Sequence, residues 1–256
     1  MSRLPYLVLG CSILFGVAFR IDVTRASQAR SGTASDLSVT FVGCKSDGQA
    51  GSLETPTNPG IDVQLDSTIA RRLSIYKAAV GDAILGPRGW FCFATYGSGG
   101  ATLYITPEPL KPASAPKSFW DQITGPITGS AIQASVLYGD TSGRYAVAEI
   151  AARVFPTQRS LALNLLAEAG MQIPSRPYPG DRLTYVNERI VEYETPGRAQ
   201  GLGTSVSGGR LQQNVDSIRG VAILEPGFFL HHLAVRLPQK MIDLAPHVIR
   251  QFEATH

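Results

Sequence analysis

The segment Tyr138-Gly139-Asp140-Thr141-Ser142-Gly143-Arg144 has the residue types best suited to chemistry. It follows a strand-like run and precedes a helix-like one, so backbone N–H groups are predicted to stand at a helix start. Such a start attracts anions through its unpaired donors. Arg144 could add a two-pronged contact. Asp140, Thr141, Ser142, Gly143 and Arg144 are therefore the candidate binding residues. A simpler reading is structural: Asp140, Thr141 or Ser142 caps the helix and Arg144 is solvated. A phosphate loop is excluded in practice, because the Gly-Lys-Ser/Thr ending is missing. Asp140 stands where a hydrolase elbow needs glycine before Ser142. Ser142 paired with a histidine from elsewhere in the chain stays open.

Other segments carry weaker signals. Gly97-Ser98-Gly99-Gly100 joins two strand-like runs and opens no helix, so it reads as a hairpin tip rather than a dinucleotide loop. Gly201 to Gly209 reads as a flexible loop, with a binding lid as the alternative. If His231 and His232 lie in a strand, they point to opposite faces and cannot hold one metal together. The sequence has no His-Glu-x-x-His and no Cys/His cluster. No metal and no cofactor is expected. Glu192 and Glu194 would share a strand face about 7 Å apart, which does not identify a glycosidase pair. Trp90, Tyr96, Tyr104 and Trp120 suit either a sugar-stacking platform or, as is commoner in strands, the core.

The cysteines and the start of the chain bear on compartment. Met1 to Arg3 is a short basic start, and Leu4 to Phe19 is uncharged and almost wholly apolar. That reads as an export signal over 1–18, with Gly16-Val17-Ala18 offering small residues for cleavage. The rival readings are lipidation at Cys11, after Val8-Leu9-Gly10, and an uncleaved anchor. Residues 19–36 are polar and read as a disordered lead-in, leaving 37–256 as a single domain. Cys44 and Cys92 remain once the leader is gone. An even pair in an oxidising compartment most often bonds, and the apolar flanks of Cys92 argue against a reactive thiol.

Net charge is +3, and Lys and Arg are scattered, with Arg71-Arg72 the adjacent basic pair. Neither a nucleic-acid stripe nor a polybasic membrane patch is visible. Contact with a membrane is expected through the N-terminal segment alone, if it is uncleaved or lipidated.

These segments need elements to hold them. Leu37 to Gly43 alternates as a strand, and Lys45 to Gly60 reads as a long loop. Ile61, Val63 and Leu65 alternate again. Asp66 or Ser67 is a predicted cap for a helix in which Ile69, Leu73, Tyr76 and Val80 recur, ended by Gly81. Trp90–Tyr96 with Ala101–Thr106, Leu183–Val186 with Ile190–Glu194, and Ile218–Leu224 with Phe228–Leu237 are predicted hairpins. Ala131–Tyr138 is a further strand. Helices are predicted over Arg144–Phe155, from Thr157 to Gly170, and over Met241–Phe252. Strands outnumber helices and arrive as hairpins. The expected class is α+β, with a mainly antiparallel sheet and helices packed on one face.

Phe41-Val42-Gly43-Cys44 with Ser46-Asp47-Gly48-Gln49, Gly89-Trp90-Phe91-Cys92-Phe93 with Thr95-Tyr96-Gly97-Ser98, and Tyr138 to Arg144 resemble the recurring segments of a bacterial family of predicted exported proteins. Tyr193 to Pro196, Gly201 to Thr204 and Val235 to Pro238 are similar too. The resemblance covers most of the chain after residue 36 and implies no activity. Its recurring cysteines agree with a Cys44–Cys92 bond. A looser architectural likeness is to Mog1/PsbP-type domains, through a final strand followed by a helix. The resulting expectation is a secreted or periplasmic domain, more a binder of a small ligand or cell-envelope protein than an enzyme. The alternative is a secreted hydrolase using Ser142 or a histidine.

Overall fold

The computed structural model describes residues 39–110, 125–174 and 177–256. The predicted leader and lead-in, Trp120, and part of the proline-rich run after Pro107 lie outside the described residues. In chain order come β1 (Thr40–Gly43), β2 (Lys45–Gly48), a single helical turn α1 (Ser67–Ala70), β3 (Leu73–Lys77), β4 (Ile84–Pro87), β5 (Phe91–Gly97), β6 (Gly100–Thr106) and β7 (Ala131–Leu137). Helices α2 (Arg144–Val154) and α3 (Arg159–Glu168) follow. Then come β8 (Arg182–Tyr185), β9 (Ile190–Thr195), β10 (Ile218–Glu225), β11 (Phe229–Arg236) and α4 (Ala245–Ala254). The described residues form one compact unit.

Eight strands make the main sheet, ordered β2-β5-β6-β7-β11-β10-β9-β8, and β1-β3-β4 make a smaller one. Pairing is antiparallel except for β2 with β5 and β1 with β3. The class is α+β with a mainly antiparallel sheet, as the run of hairpins predicts. The turns explain why. Gly97 pairs with Gly100 at the β5–β6 tip, and Gly227, at φ 84°, turns β10 into β11. Only a residue without Cβ takes such a φ freely. Pro156 ends the first helical run, and a short 3₁₀ turn over Pro156–Gln158 leads into α3.

Alternation sorts the main sheet into two faces. On β11, Leu230 and Ala234 join a core with Val147 and Ala148 of α2, Phe155 just after it, and Ala162 and Leu166 of α3. Leu233 and Val235 point the other way. They pack with Leu73 and Ile75 of β3, Leu85 of β4, and Val248, Ile249 and Phe252 of α4. Each fully buried aliphatic or aromatic side chain contributes roughly 1.5–3 kcal/mol. Cys44 bonds to Cys92 with Cα atoms 5.4 Å apart, tying the β1–β2 junction to β5.

The structure corrects four element readings. Helices lie on both faces: α2 and α3 on one, α4 beside the small sheet on the other. The apolar stripe of α4 needs a surface to cover, and the small sheet leaves one on the second face. Lys45–Gly48, expected as loop, is the edge strand β2, because an edge ladder needs backbone rather than apolar side chains. Ile61, Val63 and Leu65 pack against the second core but form no strand. Asp66 does cap a helix, its Oδ1 accepting from Thr68 N at 2.8 Å, yet that helix ends at Ala70. Leu73–Tyr76 is buried on both faces between β1 and β4. A continuously buried strand can mimic helical spacing.

Candidate functional site

The predicted turn sits where two glycine-bearing loops touch. β6 pairs with β7 so that Gly100 faces Leu137. This register brings the β5–β6 tip against the entry to α2. Tyr138 N–H donates to Gly99 O at 3.1 Å, and the Ser98 and Ser142 hydroxyls lie 3.2 Å apart. A Cβ on Gly143 would stand 2.1 Å from Gly99 O, so glycine is required by close approach. Thr141 closes the turn: its Oγ1 donates to Tyr138 O at 3.2 Å and accepts from Gly143 N at 3.4 Å. Gly143, the residue before α2, offers no side-chain cap. Asp140 is exposed. Arg144 donates to the Tyr145 hydroxyl at 3.0 Å and lies 4.8 Å from that ring's centre.

Of the five predicted binding residues, Ser142 and Gly143 line a cavity of about 260 Å³. Asp140, Thr141 and Arg144 do not line it. Thr95, Thr102, Tyr145 and Glu149 share its wall with Ser207 and Gly208. A neighbouring cavity of about 500 Å³ shares Thr95, Ser207 and Gly208 and extends to Tyr104, Arg210 and Gln212. The three glycine-rich segments of the sequence therefore meet at one cleft.

The cleft floor is polar. Thr95, Thr102, Gln133 and Ser135 are buried on the face of β5–β7 that elsewhere carries the α2–α3 core. Buried polar groups persist where they are paired, as Thr102, Gln133 and Ser135 are. Thr102 and Ser135 share a hydroxyl bond of 3.0 Å. Gln133 Oε1 accepts from Arg210 N at 2.8 Å. Tyr104, its hydroxyl pKa raised by burial, donates to Gly208 O at 2.6 Å. These bonds pin residues 208–211 to the sheet. The preceding turn is pinned too: Asp181 accepts from Leu202 N at 2.9 Å and from Thr195 Oγ1 at 2.6 Å. The stretch 201–209, expected as a flexible loop with a binding lid as the alternative, is hydrogen-bonded at Leu202, Gly203 and Gly208 to Asp181, Thr195 and Tyr104.

The other sequence candidates disperse. Tyr104 reaches the cleft, whereas Trp90 packs on the second core and Tyr96 donates to Gly51 O. They form no common platform. Glu192 and Glu194 do share a face. Glu253 of α4 meets Glu192 there, and burial, then the Glu192 charge, push its carboxyl up to about 7.

His231 and His232 point to opposite faces, as alternation predicts. His232 is fully buried, its Nε2 2.8 Å from the Tyr193 hydroxyl. Tyr193 donates its proton to Leu233 O at 3.0 Å, so His232 donates from Nε2 and its Nδ1 is left without a partner. Burial lowers its pKa to about 3 and keeps it neutral. His231 Nδ1 lies 2.8 Å from Asp82 Oδ2, and the His256 ring lies 3.9 Å from the His231 ring. Among the described residues Ser142 hydrogen-bonds to Ser98, and neither histidine of this pair is bonded to it.

Two features escaped the sequence reading. The polar floor was signalled by Thr95, Thr102, Gln133 and Ser135 at alternate positions facing the helical side. The Asp82–His231–His256 group had no local signal, since its members are far apart in sequence.

The chain matches no protein-family model, and searches of curated proteins and of solved structures find no match. No match supports the expected likeness to Mog1/PsbP-type domains.

Proposed function

We propose that this protein is an exported, non-enzymatic domain that binds a small polar ligand in the cleft between the α2 entry and residues 207–210. The observation that carries the reading is the strip of buried hydroxyl and amide side chains, Thr95, Thr102, Gln133 and Ser135, on the sheet face beneath the cleft. Ligand pockets typically combine a preformed cavity with a few fixed polar groups. Here the walls are already held by Tyr104, Gln133 and Asp181, so binding costs little ordering entropy. Hydroxyls on several sides, with Tyr145 nearby, suit a hydroxylated small molecule. Arg144, the cation nearest the turn in sequence, is engaged by Tyr145.

Export is supported by the bond between Cys44 and Cys92, since disulfides persist in oxidising compartments. The basic start and apolar run of the sequence point the same way. The hydrolase alternative finds less support, because the hydroxyl beside Ser142 is another serine rather than a base.

The test is to purify the exported protein from its own compartment and analyse it by native mass spectrometry, then to titrate it with soluble envelope extract. A bound small molecule, displaced in Ser207→Trp, is the expected result. Ser142→Ala should leave any activity on an ester, peptide and glycan panel unchanged. Loss of an observed activity in that variant would favour the enzyme.

A further inference from the structure

We infer that Asp82, His231 and His256 form a binding site for a borderline divalent cation of the zinc class, independent of the cleft. The three side chains come from the turn between β3 and β4, from β11, and from the residue after the α4 cap. Each offers a ligand atom, and these atoms lie within 4.8 Å of one another. Two imidazole nitrogens and a carboxylate oxygen are ligands of the kind that zinc takes. Such a set also suits other borderline first-row ions.

The distances suit a metal. His231 Nδ1 is 2.8 Å from Asp82 Oδ2, and His256 Nε2 is 3.8 Å from Asp82 Oδ1. In a tetrahedral site with bonds of about 2.0–2.1 Å, ligand atoms stand about 3.3 Å apart. The observed pair brackets that value, and with all three ligand atoms within 4.8 Å of one another the side chains need only draw together around the ion. Binding replaces the contact between His231 Nδ1 and Asp82 Oδ2 by bonds from the two side chains to the metal.

A second observation points to a missing ligand. His256 Nε2 is buried and has no hydrogen-bond partner, and its side chain is 10% exposed. A buried polar atom left unpaired costs about 1–3 kcal/mol, and its nearest charged neighbour is the Asp82 carboxylate. The Phe252 ring meets the His256 ring at 4.9 Å and holds it on one side. Asp82 and His231 are 17% and 16% exposed, which leaves a solvent approach for the ion. Three protein ligands leave a coordination position for water.

The test uses the full chain, stripped with chelator and titrated with zinc by calorimetry, with cobalt as a spectroscopic substitute. One equivalent should bind, and cobalt should give visible d–d bands and shift the His231 and His256 ring signals in NMR. His256→Gln and Asp82→Asn should each weaken binding by at least about 100-fold, exceeding the loss typical of outer-shell changes. His247→Gln should leave it unchanged. Position 256 lies beyond the end of α4, so His256→Gln leaves the helix intact, and the cobalt shifts test the site without any variant. Failure to take up zinc, or uptake that leaves the His231 and His256 signals unmoved, would overturn the site. Neither result bears on the cleft, which shares none of these residues.

Discussion

The two faces of the main sheet do different work. One carries Leu233 and Val235 into a dry core closed by β3, β4, α4 and the Cys44–Cys92 bond. The other begins in the same way under α2 and α3 but becomes polar along Thr95, Thr102, Gln133 and Ser135. Strand alternation produced both. The difference shows where the fold gives up hydrophobic stabilisation, and it does so beneath the cleft. On the proposed reading, the polar strip marks the floor of the binding site.

The largest effect should come from the dry face. Replacing Cys44 and Cys92 together by alanine frees a loop with a sequence separation of 48 and should cost about 4 kcal/mol in the chain-entropy account. Urea unfolding measures this. Ligand affinity in the cleft should not change, because the staple belongs to the other face. A parallel loss of affinity would join two regions that are here held separate.

On the polar face the balance reverses. Thr102→Val combined with Ser135→Ala removes both partners of one hydroxyl bond, which is nearly neutral for stability. It should nonetheless weaken binding of the small ligand strongly. A stability loss comparable to that of the cysteine variant would mean that the strip is structural. Tyr104→Phe should cost about 1 kcal/mol and loosen residues 206–210, seen as faster amide exchange at those positions.

Two further effects concern pH. Glu253 has its pKa raised to about 7, so the folded state holds a proton that the unfolded chain releases near 4.5. Its stabilising contribution is complete below 4.5 and is lost as pH rises to about 7. Glu253→Gln should flatten stability across that window. His232 has the opposite sign. Its depressed value gives stability that is present above 6.5 and lost as pH falls towards 3. Stability curves of His232→Gln should lack that acid limb.

Much of this was legible in the sequence, for physical reasons. Gly97–Gly100, Asn187 and Pro226-Gly227 punctuate runs of alternating residues, so the hairpins could be read locally. Pro156 and Gly170 bounded α3 in the same way. Leu73–Tyr76 could not be read, because burial on both faces erases the period that distinguishes strand from helix. Lys45–Gly48 was hidden because its pairing with β5 is a backbone property. The site was legible in pieces: each glycine-rich segment stood out, but their meeting depends on the β6–β7 register. The partners of Ser142 and His231 likewise come from positions 98 and 82, which no local pattern connects.

Backbone-amide NMR of the exported protein, titrated with soluble envelope extract, tests the central claim most directly. Signals of Thr95, Thr102, Ser142 and Ser207–Arg210 should move together, while those of Leu73–Tyr76 and α4 stay fixed. Shifts centred on α4 and the small sheet, or none at the cleft, would contradict the account.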